Sequence, residues 1–142
     1  MMSGLRPFHL AVPVYDLAQA RSFYGDLIGC REGRSSSQWV DFNFFGHQFV
    51  CHLSQGRDTA GPIRNAVDGD LVPIPHFGVI LTMADWQSLR DRLLAAGVSF
   101  VIEPRIRFQG ESGEQATMFL TDPSRNALEF KAFADDSRIF AK

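Results

Sequence analysis

One pattern, a strand, a helix and three strands, occurs twice in the 142 residues, and this internal repeat limits the available folds more than any other feature. Residues 7–14 alternate around Phe8, Leu10, Val12 and Val14, the spacing of a strand with one buried face. Residues 17–28 switch to helical spacing, with Leu17, Ala20, Phe23, Tyr24 and Leu27 on one side, Asp16 as N-cap and Gly29 just past the end. Strand-like runs follow near 30–35, 37–44 and 47–53. The second copy has a strand at 76–82, a helix over 84–96 carrying Trp86, Leu89, Leu93 and Ala96 ahead of Gly97, and strands near 98–103, 115–121 and 127–133. The expected fold is α+β: one βαβββ module over 1–55, a second over 76–134 and a tail over 135–142, forming one structural domain. Between the modules, 56–75 is rich in Gly, Pro, Asp and Arg without a sustained period, and reads as a linker or a lid.

Composition narrows the function classes. Hydrophobic residues at 45% and charged residues at 21% give the chain enough apolar surface to fold. The basic residues, twelve Arg and two Lys, are scattered singly at a net charge of −2, so no basic stripe offers itself to nucleic acid. No apolar stretch approaches the roughly 20 residues of a membrane span, and the opening Met-Met-Ser-Gly-Leu-Arg-Pro lacks a cleavage-site pattern. A cytoplasmic protein is expected, with Cys30 and Cys51 as reduced structural thiols.

Strand alternation sorts side chains by face. In the first strand Phe8, Leu10 and Val12 face the helix, leaving His9, Ala11 and Pro13 opposite. At the start of the second copy His76, Gly78 and Ile80 take the face away from the helix, and in the last strand Ala127, Glu129 and Lys131 do so. His9 and His76 open the two copies at the same place, so a two-fold relation between the modules would bring two imidazoles and a carboxylate together. Glu129, between Leu128 and Phe130, needs a partner when buried. A metal ion is one, Arg or Lys another.

The ending Phe119-Leu-Thr-Asp-Pro-Ser-Arg-Asn-Ala-Leu-Glu-Phe130 resembles the closing strand-turn-strand of the vicinal oxygen chelate superfamily, which holds glyoxalases, bleomycin-resistance proteins and extradiol dioxygenases. The likeness extends to His9, the Phe23-Tyr24-Gly25 helix and His76. It implies paired modules curling into an open, cup-shaped mixed sheet with helices outside and a divalent metal bound by His9, His76 and Glu129. Two histidines and one carboxylate leave positions for substrate and dioxygen or water, a set that favours Fe(II), with Mn(II), Ni(II) or Zn(II) as alternatives.

Departures from the family pattern sharpen this. Laying the fourth strand over the last puts Val50 where Glu129 stands, so the fourth protein ligand of glyoxalase I enzymes is missing. Phe119 replaces the tyrosine and Arg125 the turn glycine of extradiol dioxygenases, and residues 109–116 hold no His, which argues against ordinary catechol cleavage. On the cup side, His52 is the candidate base, and Asp41, Asn43, Gln48, Phe119, Lys131 and Arg107 are candidate substrate-binding groups. Arg105 and Arg107 alternate with Ile106 and Phe108, as a solvated strand face also would. The Gly-containing loop at 110–115 lacks the context of a phosphate cradle.

A dioxygenase-like enzyme acting on a small oxygen-bearing substrate, in a homodimer, is the leading expectation. Glyoxalase-like isomerisation, thiol transfer to a drug and non-catalytic antibiotic binding are the alternatives.

Overall fold

The computed structural model describes residues 4–55 and 63–142. The chain divides into two compact units, 1–57 and 58–142. Residues 56–62, the first part of the expected linker, lie outside the described residues.

The first unit runs β1 (His9–Val14), a helix, β2 (Arg31–Ser35), β3 (Trp39–Phe44) and β4 (His47–Leu53), in the sheet order β1-β4-β3-β2. Strand β1 pairs parallel to β4, and the other pairings are antiparallel. The helix departs from its expected period. An α-helical turn, α1 (Leu17–Ala20), capped by the Asp16 carboxylate accepting from the Gln19 amide at 2.9 Å, passes directly into a π-helical stretch over Arg21–Leu27. The amide of Ile28 donates to the Phe23 carbonyl five residues back, and this wider turn swings Ile28 inward in place of Leu27. Tyr24 is fully buried there against Phe23, Phe42 and Phe49.

The second unit opens with a hairpin, β5 (Ile63–Val67) and β6 (Asp70–Ile74), in the segment that the sequence leaves irregular. Its turn is Asp68-Gly69 with φ of 45° and 85°, the paired left-handed conformation that Asp-Gly dipeptides favour in two-residue hairpins. The module proper follows as β7 (Phe77–Ile80), α2 (Met83–Ala95), β8 (Ile102–Arg107), β9 (Gln115–Thr121) and β10 (Ala127–Phe133), in the order β7-β10-β9-β8. Strand β7 pairs parallel to β10, as β1 does to β4. The chain is therefore α+β with a βαβββ module in each unit, as the repeat predicts.

Strand β8 begins at Ile102, whereas the apolar run at 98–103 placed it earlier. Pro104 argues against a central strand, but β8 is the edge of its sheet and its register with β9 shifts between Ile102 and Arg105, where a residue without an amide proton is tolerated. Trp86, Leu89 and Leu93 bury one side of α2, and the Trp86 indole donates to the Phe130 carbonyl at 2.9 Å, fixing β10 from behind. The turn into β10 is tied by Asp122, whose carboxylate accepts from the amides of Ser124 and Asn126 at 2.8 Å each. That turn holds Arg125 at φ 71°, in the left-handed region that glycine enters most readily.

Candidate metal centre

Alternation along β10 buries Leu128 and Phe130 and turns Glu129 to the other face, where it meets His76. Glu129 Oε1 lies 3.3 Å from His76 Nε2, and the Thr117 hydroxyl on β9 donates to Oε2. On its other side, His76 Nδ1 is 2.6 Å from the Pro73 carbonyl. A carbonyl only accepts, so Nδ1 carries the proton and Nε2 faces the carboxylate either as an unprotonated lone pair or as the second N–H of an imidazolium. Two acceptors facing each other at this distance need a positive species between them.

The titration properties agree. The hydrogen bond to Glu129 raises the His76 pKa above 6.5; burial opposes this and the Pro73 carbonyl adds to it. Burial pushes Glu129 upward, but hydrogen bonds from His76 and Thr117 outweigh it and hold the carboxyl below 4.5. A metal fits the same place. Two donors each about 2.1 Å from one ion stand about 3.0 Å apart at a right angle and about 3.4 Å apart at a tetrahedral one, and the 3.3 Å separation falls within that range. The Pro73 and Thr117 contacts are the outer hydrogen bonds that orient such ligands.

Phe119 walls this pair. It is 1% exposed, meets the His76 ring edge-on with centroids 4.9 Å apart, and packs with Val72 and Ile102 beneath the hairpin. Arg107, also expected to bind substrate, is 3% exposed. Its guanidinium lies 5.6 Å from the Phe119 ring centroid and 3.1 Å from Asp70, which also accepts from Arg105 at 2.9 Å. The solvated-face reading of Arg107 is thus replaced by a buried pair that ties the hairpin to β8. Lys131 stands beside Phe133, 5.7 Å from its centroid, and its charge acts on both His76 and Glu129.

In the first unit the rows across the open face are His9-Gln48-Asn43, Ala11-Val50-Asp41 and Pro13-His52-Trp39. Gln48 Oε1 accepts from His9 Nδ1 at 2.9 Å. Asn43 Oδ1 accepts from the Gly46 amide at 2.7 Å and so holds the β3–β4 turn. Asp41 is buried beside Gly33. His52 is exposed four residues along β4 from Gln48, about 13 Å away along the strand. His47, half-buried at the start of β4, accepts the Phe8 amide proton at Nδ1, 2.8 Å away. Val50 occupies the row that corresponds to Glu129, which pairs with Gly78. Among the described residues no three His, Cys, Asp or Glu side chains form a ready metal-binding group; the pair His76–Glu129 is gathered in the second unit, and His9 belongs to the first.

Two contributors carried weaker sequence signals. The Pro73 carbonyl is a main-chain group that no residue pattern advertises. Gly78 is marked only by being glycine where the first copy has Ala11.

The family model of the Glyoxalase/Bleomycin resistance protein/Dioxygenase superfamily matches residues 6–130. The chain belongs to that superfamily. A glyoxalase/bleomycin resistance protein/dioxygenase from Alicyclobacillus acidocaldarius is 33% identical, with a TM-score of 0.81 and 98% of this chain covering 100% of that one. The fosfomycin resistance protein FosX from Listeria monocytogenes shares the fold at 21% identity and a TM-score of 0.67, with both chains fully covered. An integron cassette protein from V. Cholerae does so at 16% identity and a TM-score of 0.62, over 94% of this chain and 99% of that one. No curated protein matches the sequence. Among the described residues no helix is long and apolar enough to cross a membrane.

Proposed function

We propose that the chain is a metal-dependent enzyme of this superfamily, dioxygenase-like in chemistry, in which His9, His76 and Glu129 bind one divalent cation, Fe(II) being favoured over Mn(II), Ni(II) and Zn(II). The reading is supported by the His76–Glu129 pair: His76, its Nδ1 proton held by Pro73, presents Nε2 to Glu129 at 3.3 Å, a separation that suits two ligands of one cation as well as an imidazolium–carboxylate contact. The ion, when bound, supplies Lewis acidity toward a small substrate that chelates it through two adjacent oxygens. Val50 donates nothing, so three protein ligands leave open positions for substrate.

The chain's own residues divide the remaining work. Thr117 holds Glu129 Oε2 and leaves Oε1 for the ion. Phe119 gives a flat apolar wall that keeps water from one side of His76. Lys131 places a positive charge near the carboxylate and suits an anionic substrate. His52, exposed on β4 one row beyond Val50, is the candidate base for an extended substrate. Strands β1 and β7 each stand at the edge of their own sheet, which supports assembly as a homodimer. The test is metal content after anaerobic reconstitution of His9→Ala, His76→Ala and Glu129→Ala, followed by oxygen uptake with chelating substrates. Undiminished metal in all three variants refutes the centre. Turnover without oxygen uptake moves the reaction to the isomerase or thiol-transfer class.

A further inference from the structure

We infer that Gln48 is a positioning residue: it accepts the Nδ1 proton of His9 and thereby presents Nε2 of that ring, unprotonated, for metal binding. The inference rests on the proposed role of His9 as a ligand and extends it to a residue that the sequence placed among substrate contacts. Gln48 Oε1 lies 2.9 Å from His9 Nδ1, and an amide oxygen can only accept. The ring is therefore held as its Nδ1–H form. A ligand histidine is oriented in this way when its second nitrogen is hydrogen-bonded to a neighbouring acceptor.

Two further observations support a built arrangement. The start of β4 grips the residues around His9 at three points: Phe8 N–H donates to His47 Nδ1 at 2.8 Å, Gln48 N–H donates to the Phe8 carbonyl at 2.9 Å, and His9 Nδ1 donates to the Gln48 side chain. His47 thus accepts through the nitrogen that donates in His9, so the two neighbouring imidazoles hold opposite tautomers. The second unit solves the same problem with different material. The position matching Gln48 there is Ala127, which has no acceptor, and the His76 Nδ1 proton goes to the Pro73 carbonyl instead. Each copy of the module ties down Nδ1 of its first histidine and turns Nε2 away from that acceptor, by a side chain in one and by main chain in the other.

The test uses the full chain with 15N-labelled histidine, metal-free and at a pH where His9 is neutral. Long-range proton–nitrogen correlation reads the tautomer, with His9→Asn assigning the signal. The expected result is an Nδ1–H ring in the native protein and a shift toward the Nε2–H form in Gln48→Leu, while Gln48→Glu keeps the native form. Zn(II) affinity should fall roughly 10- to 100-fold in Gln48→Leu and be retained in Gln48→Glu. A native ring already in the Nε2–H form, or one unmoved by Gln48→Leu, overturns the assignment. A tautomer shift with Zn(II) affinity unchanged in both Gln48→Leu and His9→Ala instead refutes His9 as a ligand. Affinity lost in His9→Ala but held in Gln48→Leu refutes the positioning role alone.

Discussion

Gly78→Ala should break the His76–Glu129 pair from behind. Gly78 sits opposite Glu129 in the parallel β7–β10 pairing, and a methyl group added there would lie 1.5 Å from the Glu129 carbonyl oxygen, 2.6 Å from its carbonyl carbon and 3.2 Å from its nitrogen. All three atoms are backbone, so no rotamer relieves the overlap. Restoring ordinary contact requires β10 to retreat by about 2 Å at Glu129. The 3.3 Å approach to His76 does not survive a displacement of that size. Overpacking of this kind costs about 3 kcal/mol, toward the upper end for a forced backbone shift, and lowers the Tm by roughly 10 °C. The matching position in the first unit is Ala11, opposite Val50, where a methyl group is already present. Thermal unfolding with and without excess Mn(II) separates the two effects. Saturation at 100 times Kd adds about 2.7 kcal/mol to a protein with an intact site, and that increment should be lost in Gly78→Ala and kept in Ala11→Gly. A Gly78→Ala protein with native Tm and native Mn(II) increment would show that close strand approach does not set the ligand pair.

Other perturbations test neighbouring contacts. In metal-free protein, the raised His76 pKa contributes stability that is complete below pH 6.5 and is lost as pH rises through the folded value. The lowered Glu129 pKa contributes stability that is complete above pH 4.5 and is lost as pH falls through its folded value. The pair therefore stabilises most between these limits, and His76→Ala should flatten that part of a stability-against-pH curve measured by urea unfolding. Asp70→Asn leaves the buried Arg107 without its counter-charge and should cost about 3 kcal/mol, read as a lower urea midpoint. Arg125→Gly relieves a left-handed arginine at φ 71° and should stabilise by about 0.5 kcal/mol, after the entropy of the glycine is subtracted. An unchanged or lower Tm in that variant would mean that the Asp122 turn already absorbs the strain.

The repeat was legible because its signals are local. Alternation and helical spacing are carried by neighbouring residues, so both βαβββ modules, and the outward faces of His9 and Glu129, follow from the sequence without tertiary information. The hairpin over 63–74 was missed although Asp68-Gly69 advertises it, because its flanking runs, Ile63–Val67 and Asp70–Ile74, include Arg64, Asn65 and Pro73 and do not alternate cleanly. Arg107 could not be placed for a related reason. Its burial depends on Asp70, 37 residues earlier, and on the hairpin carrying that carboxylate to β8. The candidate centre shows the same division between local and distant causes. Residue type and strand parity identify which groups face away from the helix. Which nitrogen of each imidazole carries the proton depends on acceptors supplied by other strands: the side chain of Gln48 for His9, and the main chain of Pro73 for His76. A backbone carbonyl is present in every residue and marks no position in a sequence. The chemistry of His76 is therefore set by a main-chain carbonyl at the end of β6, and a search for ligand types alone finds the residue without finding what prepares it.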